Sequence, residues 1–262
     1  LLLADTTQSF TFKKLLDQNS ISAANESLTV EYTSNPIWHA ITALPYLLQK
    51  TNESVEQTFN RFYANSLAAY LVKKYPIIKN YYAQWKTDSV SMLANLDKNQ
   101  ALKQILLQET PWVFDAKNES AQRNSLSQLF NLVQVSEQAG NDLNQLTEAQ
   151  LSNGSFSWFK GGREDQYITN TILIGFGKLL NIGAVSAENT SRLNAIVIKA
   201  IDYLDAQIQQ DYTNLIASKQ NTSIQQLTRK QIEYLYMRSF YLNIPNKATA
   251  ATDYYYKQAK LC

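Results

Sequence analysis

One cysteine, Cys262, and one histidine, His39, are all the thiol and imidazole in this chain of 262 residues. A single thiol closes no intrachain disulfide, and a zinc site draws on several Cys, His or carboxylate ligands, so no metal or other cofactor is expected. His39, in Trp38-His39-Ala40 near the start of an apolar segment, reads as a structural or partly exposed imidazole, with a functional one as the alternative. Strong charge of either sign is missing too. Against 22 Asp and Glu stand 24 Lys and Arg, a net +2 with no basic cluster, so nucleic acid is not an expected partner. No apolar run approaches the roughly 20 residues that cross a bilayer. Leu1-Leu2-Leu3 meets Asp5 too soon to be a signal peptide, and any targeting segment is expected to lie outside this sequence. Gly-x-Ser-x-Gly and Gly-Lys-Ser/Thr motifs are absent, which argues against a serine-hydrolase elbow and a phosphate-cradling loop.

What the chain does have is helical pattern. Ser54 opens a segment in which Val55, Phe59, Phe62, Tyr63, Ser66, Leu67, Tyr70 and Leu71 share one face. Ser54 suits an N-cap, with Gln57 three residues on as in a capping box. Short strands are expected at residues 9–12 and 28–32, where polar residues alternate with β-branched or aromatic ones. From Pro36 onward helices are expected almost without relief, over residues 37–49, 54–75, 77–85, 89–96, 100–109, 118–135, 136–152, 166–180, 190–218, 229–242 and 248–261. Asp165 and Thr228 read as caps and Gly183 as the residue that ends a helix. Ile196, Ile198, Ala200, Ile201, Leu204, Ile208, Tyr212 and Leu215 supply the stripe of the longest helix. Ser152-Asn-Gly-Ser-Phe-Ser-Trp-Phe-Lys-Gly-Gly162 reads as a tight loop whose rings plug into the core. Helices joined by short loops indicate packed αα-hairpins.

Two blocks carry a family resemblance. Leu44-Pro-Tyr46, Glu53-Ser54-Val55-Glu56-Gln57-Thr58-Phe59 and Arg61-Phe62-Tyr63-Ala64-Asn65 resemble the thioester motif of the bacterial alpha-2-macroglobulin family. In that motif Cys stands where this chain has Ser54. Trp158, Phe159, Gly161, Gly162, Asp165, Tyr167, Ile168 and Thr169 resemble a second block of the same thioester domain, and Leu28 to Pro36 resembles the passage into it from a β-rich neighbour. The resemblance implies an all-α fold, an α/α toroid of antiparallel helical hairpins with six inner and six outer helices. Residues 35–262 would form that domain, lacking its last helix pair, and residues 1–34 the linker from the preceding β domain. The whole would be a piece of a longer extracytoplasmic protein of the periplasm or outer-membrane-anchored envelope.

In thioester-bearing relatives the Cys thiol condenses with the Gln side chain to make a buried acyl donor. This chain keeps Gln57, but a Ser54 hydroxyl is a far poorer leaving group than a thiolate, so no covalent capture is expected. The run Lys50-Thr51-Asn52 also departs from the family's aromatic, proline-containing lead-in, which favours natural loss of the cysteine over an engineered replacement. The resemblance therefore implies a non-enzymatic module of a protein that traps target proteases by conformational change, its partners being those proteases and the neighbouring macroglobulin-type β domains. The alternative is an α/α-toroid glycoside hydrolase or polysaccharide lyase, or a helical glycan-binding protein. Sixteen Tyr and four Trp suit sugar stacking, and Glu53, Glu56, Asp115 or Asp165 are the candidate carboxylates of a catalytic pair.

Overall fold

In the computed structural model the described residues are Thr11, Lys13, Leu44, 47–48, 54–75, 132–218 and 226–260, without the side chains of Leu132 and Val133. Isolated positions apart, the strands expected at 9–12 and 28–32, the helices expected between 37 and 49 and between 77 and 131, and His39, Glu53 and Asp115 lie outside them. Contacts divide the chain into Leu1–Trp38 and His39–Cys262. Within the second unit the described residues form six α-helices. Among the described residues there are no strands, only two isolated bridges, so this part is all-α.

Helix α1, Val55–Lys74, starts at Ser54, whose Oγ accepts the Gln57 N–H at 3.1 Å. That bond satisfies one of the donors a helix N-terminus leaves open, and Lys73 and Lys74 face the negative end of the dipole. Val55, Phe59, Phe62, Ser66 and Leu71 are buried as expected, and so are Ala64, Asn65, Ala68 and Val72. Burial on more than one face makes α1 an enclosed helix, not a one-sided surface one. Helix α2, Leu132–Ala149, runs unbroken through the break expected between Val135 and Ser136. Neither Pro nor Gly stands at that point and Ser136 faces water, so nothing there stops the helix.

Helix α3, Gln166–Asn181, is capped by Asp165, whose carboxylate accepts the Ile168 N–H at 3.0 Å. It ends at Gly183, whose φ of +72° lets the Ala184 N–H turn back to the Leu179 carbonyl at 2.8 Å. Helix α4, Ala187–Ala217, begins earlier than the expected Thr190 because Ser186 caps it. At 31 residues it is roughly 46 Å long. Its buried stripe includes Ile196, Ala200, Ile201, Leu204 and Ile208 but not Ile198, which is 49% exposed. Two residues advance about 200° around a helix, which puts Ile198 opposite Ile196.

Helix α5, Arg229–Arg238, starts at Thr228, whose N–H donates to Gln231 Oε1 at 3.0 Å. It stops before the expected Leu242, the chain tightening into turns in which the Phe240 N–H donates to the Met237 carbonyl and the Tyr241 N–H to the Arg238 carbonyl, while Ser239 Oγ donates to the Tyr236 carbonyl at 2.6 Å. Helix α6 is Thr249–Ala259.

Helix α1 lies chiefly on α2 and touches α3, while α3 meets α5 and α4, and α4 meets α2, α5 and α6. At the α1–α3 crossing the Phe176 ring meets Phe59 and Phe62 edge-on, at 5.6 and 5.5 Å. Phe62 and Phe176 are fully buried, each stabilising the fold by about 1.5–3 kcal/mol through area removed from water. The approach depends on Gly175, where a Cβ would lie 2.1 Å from Phe59 Cζ.

Candidate functional site

The Ser54 and Trp158 blocks, about a hundred residues apart in sequence, are in contact. Ser54 pairs with Phe159 in an antiparallel bridge, and the Val55 N–H donates to the Trp158 carbonyl at 2.9 Å. The loop is thereby held against the first turn of α1 through a backbone donor that the helix itself leaves open. Ser54 is 7% exposed. Its Oγ serves as the cap of Gln57 and its carbonyl accepts from the Thr58 N–H at 3.1 Å. Gln57 and Glu56 are half-buried, one step further along the same turn.

Several bonds shape the loop between α2 and α3. Gln150 Nε2 lies 2.9 Å from both the Gly154 and Ile196 carbonyls, fastening the loop to α4. Gly154 has φ +88°, and its Cα lies so close to α4 that a Cβ would fall 2.1 Å from the Lys199 carbonyl oxygen. Asn153 Oδ1 accepts from the Ser155 N–H and hydroxyl. Phe156 and Asp165 form a second bridge, and Phe156 is fully buried. The turn between Phe159 and Gly162 closes with the Gly162 N–H on the Phe159 carbonyl at 2.9 Å, Gly161 taking φ +79°.

The expectation that the loop's rings all plug into the core is corrected. Only Phe156 does so, while Trp158 is 40% and Phe159 59% exposed. It is the backbone of 158–159 that docks on α1. The Trp158 indole instead donates to Asp165 Oδ2 at 3.0 Å and stacks on Tyr167 at 6.1 Å. Asp165 therefore has one oxygen on the helix cap and the other on Trp158. Beneath the loop Tyr203 is buried, and burial, reinforced by the Glu164 and Asp165 charges, pushes its hydroxyl up to about 12.

A buried polar contact that the sequence patterns did not signal fixes α1 on α2. Arg61 Nε lies 3.1 Å from Asp142 Oδ1, and Asn65 Nδ2 donates to Asp142 Oδ2 at 3.2 Å. Arg61 Nη2 also donates to Gln145 Oε1 at 3.1 Å. Arg61 and Asn65 are four residues apart and so share a face. Asp142 was findable as an acidic residue on the apolar stripe Ala139, Leu143 and Leu146.

A cleft of about 370 Å³ opens between the N-terminal ends of α3 and α5. Asp165, Gln166, Tyr167 and Asn170 line it from one side, and Arg229, Lys230 and Glu233 from the other. The Arg229 guanidinium sits 5.5 Å from the Tyr167 ring centre. Among the described residues there is no histidine to act as base for Ser54, and no group of three His, Cys, Asp or Glu side chains gathers as for a metal. Nor is any helix among them long and apolar enough to cross a membrane. In comparisons with known proteins, no family model, no curated protein and no solved structure matches this chain.

Proposed function

We propose that this chain is a macroglobulin-like thioester-domain module without a functional thioester, an incomplete α/α toroid belonging to a larger protein that traps proteases by conformational change alone. The observation that carries the reading is the meeting of its two motif blocks. The Ser54 turn and the Trp158 loop resemble two separate signatures of one domain, and they share the Ser54–Phe159 bridge and the 2.9 Å bond from Val55 to Trp158. A turn that once held a reactive acyl group would need such a cover to keep water out.

The side chains of the turn support a structural use of what remains. The Ser54 hydroxyl caps α1, and a serine nucleophile would need a general base beside it. Glycan-active catalysis would need two carboxyl groups set across a cleft; of the two that line the cleft between α3 and α5, Asp165 is committed to the α3 cap and the Trp158 indole and Glu233 to Arg229. The module's part in trapping is then mechanical, as a rigid helical body against which neighbouring β domains rearrange after cleavage.

The test is made on the full-length protein, mixed with proteases of different specificity. A protease that cleaves it and is then held should keep its activity on small peptide substrates and lose it on large protein substrates. Cleavage followed by undiminished digestion of large substrates would overturn the proposal. Ser54→Cys in the same protein probes the turn itself. Loss of one ammonia and uptake of methylamine at Gln57 would mean that only the sulfur is missing, whereas a free thiol without amine uptake would mean that the acyl-donor geometry has gone.

A further inference from the structure

The sequence holds one Asn-Gly pair, Asn153-Gly154, and it lies in the loop between α2 and α3. An asparagine before glycine is open to self-modification, because glycine has no side chain to shield its nitrogen from the asparagine side-chain carbon. In this loop the reacting groups are tied down. The Gly154 N–H donates to the Leu151 carbonyl at 2.9 Å. Asn153 Oδ1 accepts from the Ser155 N–H at 3.1 Å and from the Ser155 hydroxyl at 2.7 Å, and Asn153 Nδ2 donates to Glu164 Oε2. Asn153 is exposed to water, whereas Gly154 is buried.

We infer that Asn153 is a deamidation site that docking of the loop on α4 keeps shut, and that the reaction, once it has occurred, keeps the loop from docking again. This device is independent of protease trapping. The Gly154 nitrogen gives its proton to a solvent base and bonds to Asn153 Cγ. The bond from Cγ to Nδ2 then breaks, and ammonia leaves with a proton taken from water. A second water opens the resulting succinimide at one carbonyl or the other, leaving aspartate or isoaspartate at position 153.

Closing the ring brings the Gly154 nitrogen to Asn153 Cγ. The peptide between the two residues is planar, so turning its nitrogen carries the Gly154 Cα with it. That Cα is pressed on α4, where even a Cβ would fall 2.1 Å from the Lys199 carbonyl oxygen. Gln150 Nε2 also holds the Gly154 carbonyl at 2.9 Å while bonding the Ile196 carbonyl of α4. The ring therefore closes only after the loop opens locally. Neither product fits back. Aspartate at 153 sets a carboxylate where Nδ2 met Glu164, and isoaspartate adds a methylene to the main chain where it lies against α4. The loop that carries the Trp158 carbonyl to Val55 then loses its anchor.

The experiment incubates the full chain in mildly alkaline buffer and follows Asn153 by peptide mass spectrometry, with isoaspartate read by enzymatic methylation. A synthetic peptide of residues 150–157 is the open reference. The folded chain should deamidate at Asn153 at least about tenfold more slowly than the peptide, as a reaction that waits on local opening does. Gln150→Ala removes the strap to α4. With its helices intact by circular dichroism, it should speed deamidation by about tenfold and hydrogen exchange at the Gly154 amide by the same factor. Tyr234→Phe, which weakens the opposite end, should change neither rate. A folded chain as fast as the peptide overturns the inference, and so does a Gln150→Ala chain that deamidates no faster. Equal acceleration by Tyr234→Phe also overturns it and assigns the reaction to global unfolding. In the deamidated chain, separated by ion exchange, the Leu151 amide that bonds the Ser155 carbonyl should lose its protection from exchange. Protection equal to that of the unmodified chain would show that the loop docks again and would overturn the second half of the inference.

Discussion

Two buried arginine–aspartate contacts hold the two ends of the described structure, and they are built differently. At the α1–α2 end, Arg61 meets Asp142 directly at 3.1 Å and Asn65 supports the second carboxylate oxygen. At the α4–α5–α6 end, Arg238 Nε lies 3.8 Å from Asp205, at the edge of an ion pair. There the carboxylate is satisfied mainly by neutral donors, the Tyr234 hydroxyl at 2.8 Å and the Lys247 N–H at 2.9 Å. Arg238 turns another nitrogen to the Ile244 carbonyl at 2.9 Å, and its Nη1 is buried without a partner among the described residues. The first pair joins two helices side chain to side chain. The second uses one aspartate to organise a helix, a loop and the start of the next helix.

That difference predicts unequal consequences of mutation. Asp205→Ala should be the most damaging single change, by about 3–5 kcal/mol, since it strands the Lys247 N–H, leaves the Tyr234 hydroxyl only the longer 3.3 Å contact with Thr252 Oγ1, and takes the one carboxylate from a buried Arg238. Urea unfolding monitored by circular dichroism measures it. A loss under 1 kcal/mol would show that the donors re-pair and that the cluster is not a keystone.

Gly154→Ala should come next, at about 3 kcal/mol, because a side chain is disfavoured at φ +88° and the Cβ would overlap the Lys199 carbonyl. Gly161→Ala has a similar φ of +79° but open space around it, and should lose only about 1 kcal/mol. The pair separates backbone strain from close approach. If the two variants melt alike, the loop does not press on α4 as described.

Double-mutant cycles compare the two pairs themselves. Coupling of Arg61 to Asp142 should be about 2 kcal/mol, and that of Arg238 to Asp205 about 1 kcal/mol or less, since the second pair is longer and its aspartate has other donors. Equal couplings would mean that charge, and not hydrogen-bond geometry, governs both ends.

Local rules made some of this readable and left the rest hidden. Ser54, Asp165, Thr228 and Gly183 act through neighbours three to five residues away, so their capping roles follow from short patterns. The contact between the Ser54 turn and the Trp158 loop depends on how α1 and α2 pack, and periodicity carries no such information. Resemblance suggested that the two blocks belong together, without saying which atoms touch. Aromatic rings between glycines resemble a plug for the core, yet at Trp158 and Phe159 a backbone bond to Val55 is what docks the segment. Asp142 and Asp205 are acids set among apolar positions of their helices, but their partners lie 81 and 33 residues away in sequence, beyond the reach of short patterns.

Buried tyrosines make both ends sensitive to alkali. Tyr203 under the loop and Tyr255 on α6 are each pushed up to about 12, chiefly by burial. Their folded values lie above the roughly 10 of a free tyrosine. The stabilisation is therefore complete below pH 10 and is lost as pH rises from 10 towards 12, at about 1.4 kcal/mol per pH unit for each residue. Tyr203→Phe and Tyr255→Phe should each move the alkaline transition upward, and the tyrosinate absorbance that each substitution removes, one ring of sixteen, should be the part that rises only with unfolding. If the absorbance removed is instead gained while the helices are intact, these hydroxyls reach water.

The smallest effect expected is at the indole of Trp158. Trp158→Phe removes the bond to Asp165 Oδ2, but Asp165 keeps the Ile168 N–H on its other oxygen and the ring can still rest on Tyr167. At a site two-fifths exposed, water replaces the lost donor, so the change should be about 0.5–1 kcal/mol. The same kind of hydrogen bond, from Tyr234 to Asp205, has no water to replace it, and Tyr234→Phe should lose about 1–3 kcal/mol. If the two substitutions prove equal, depth of burial is not what separates the ends. If Trp158→Phe is the larger, the loop is held by its ring as well as by its backbone, and the cover over Ser54 is stiffer than a single backbone bond would make it.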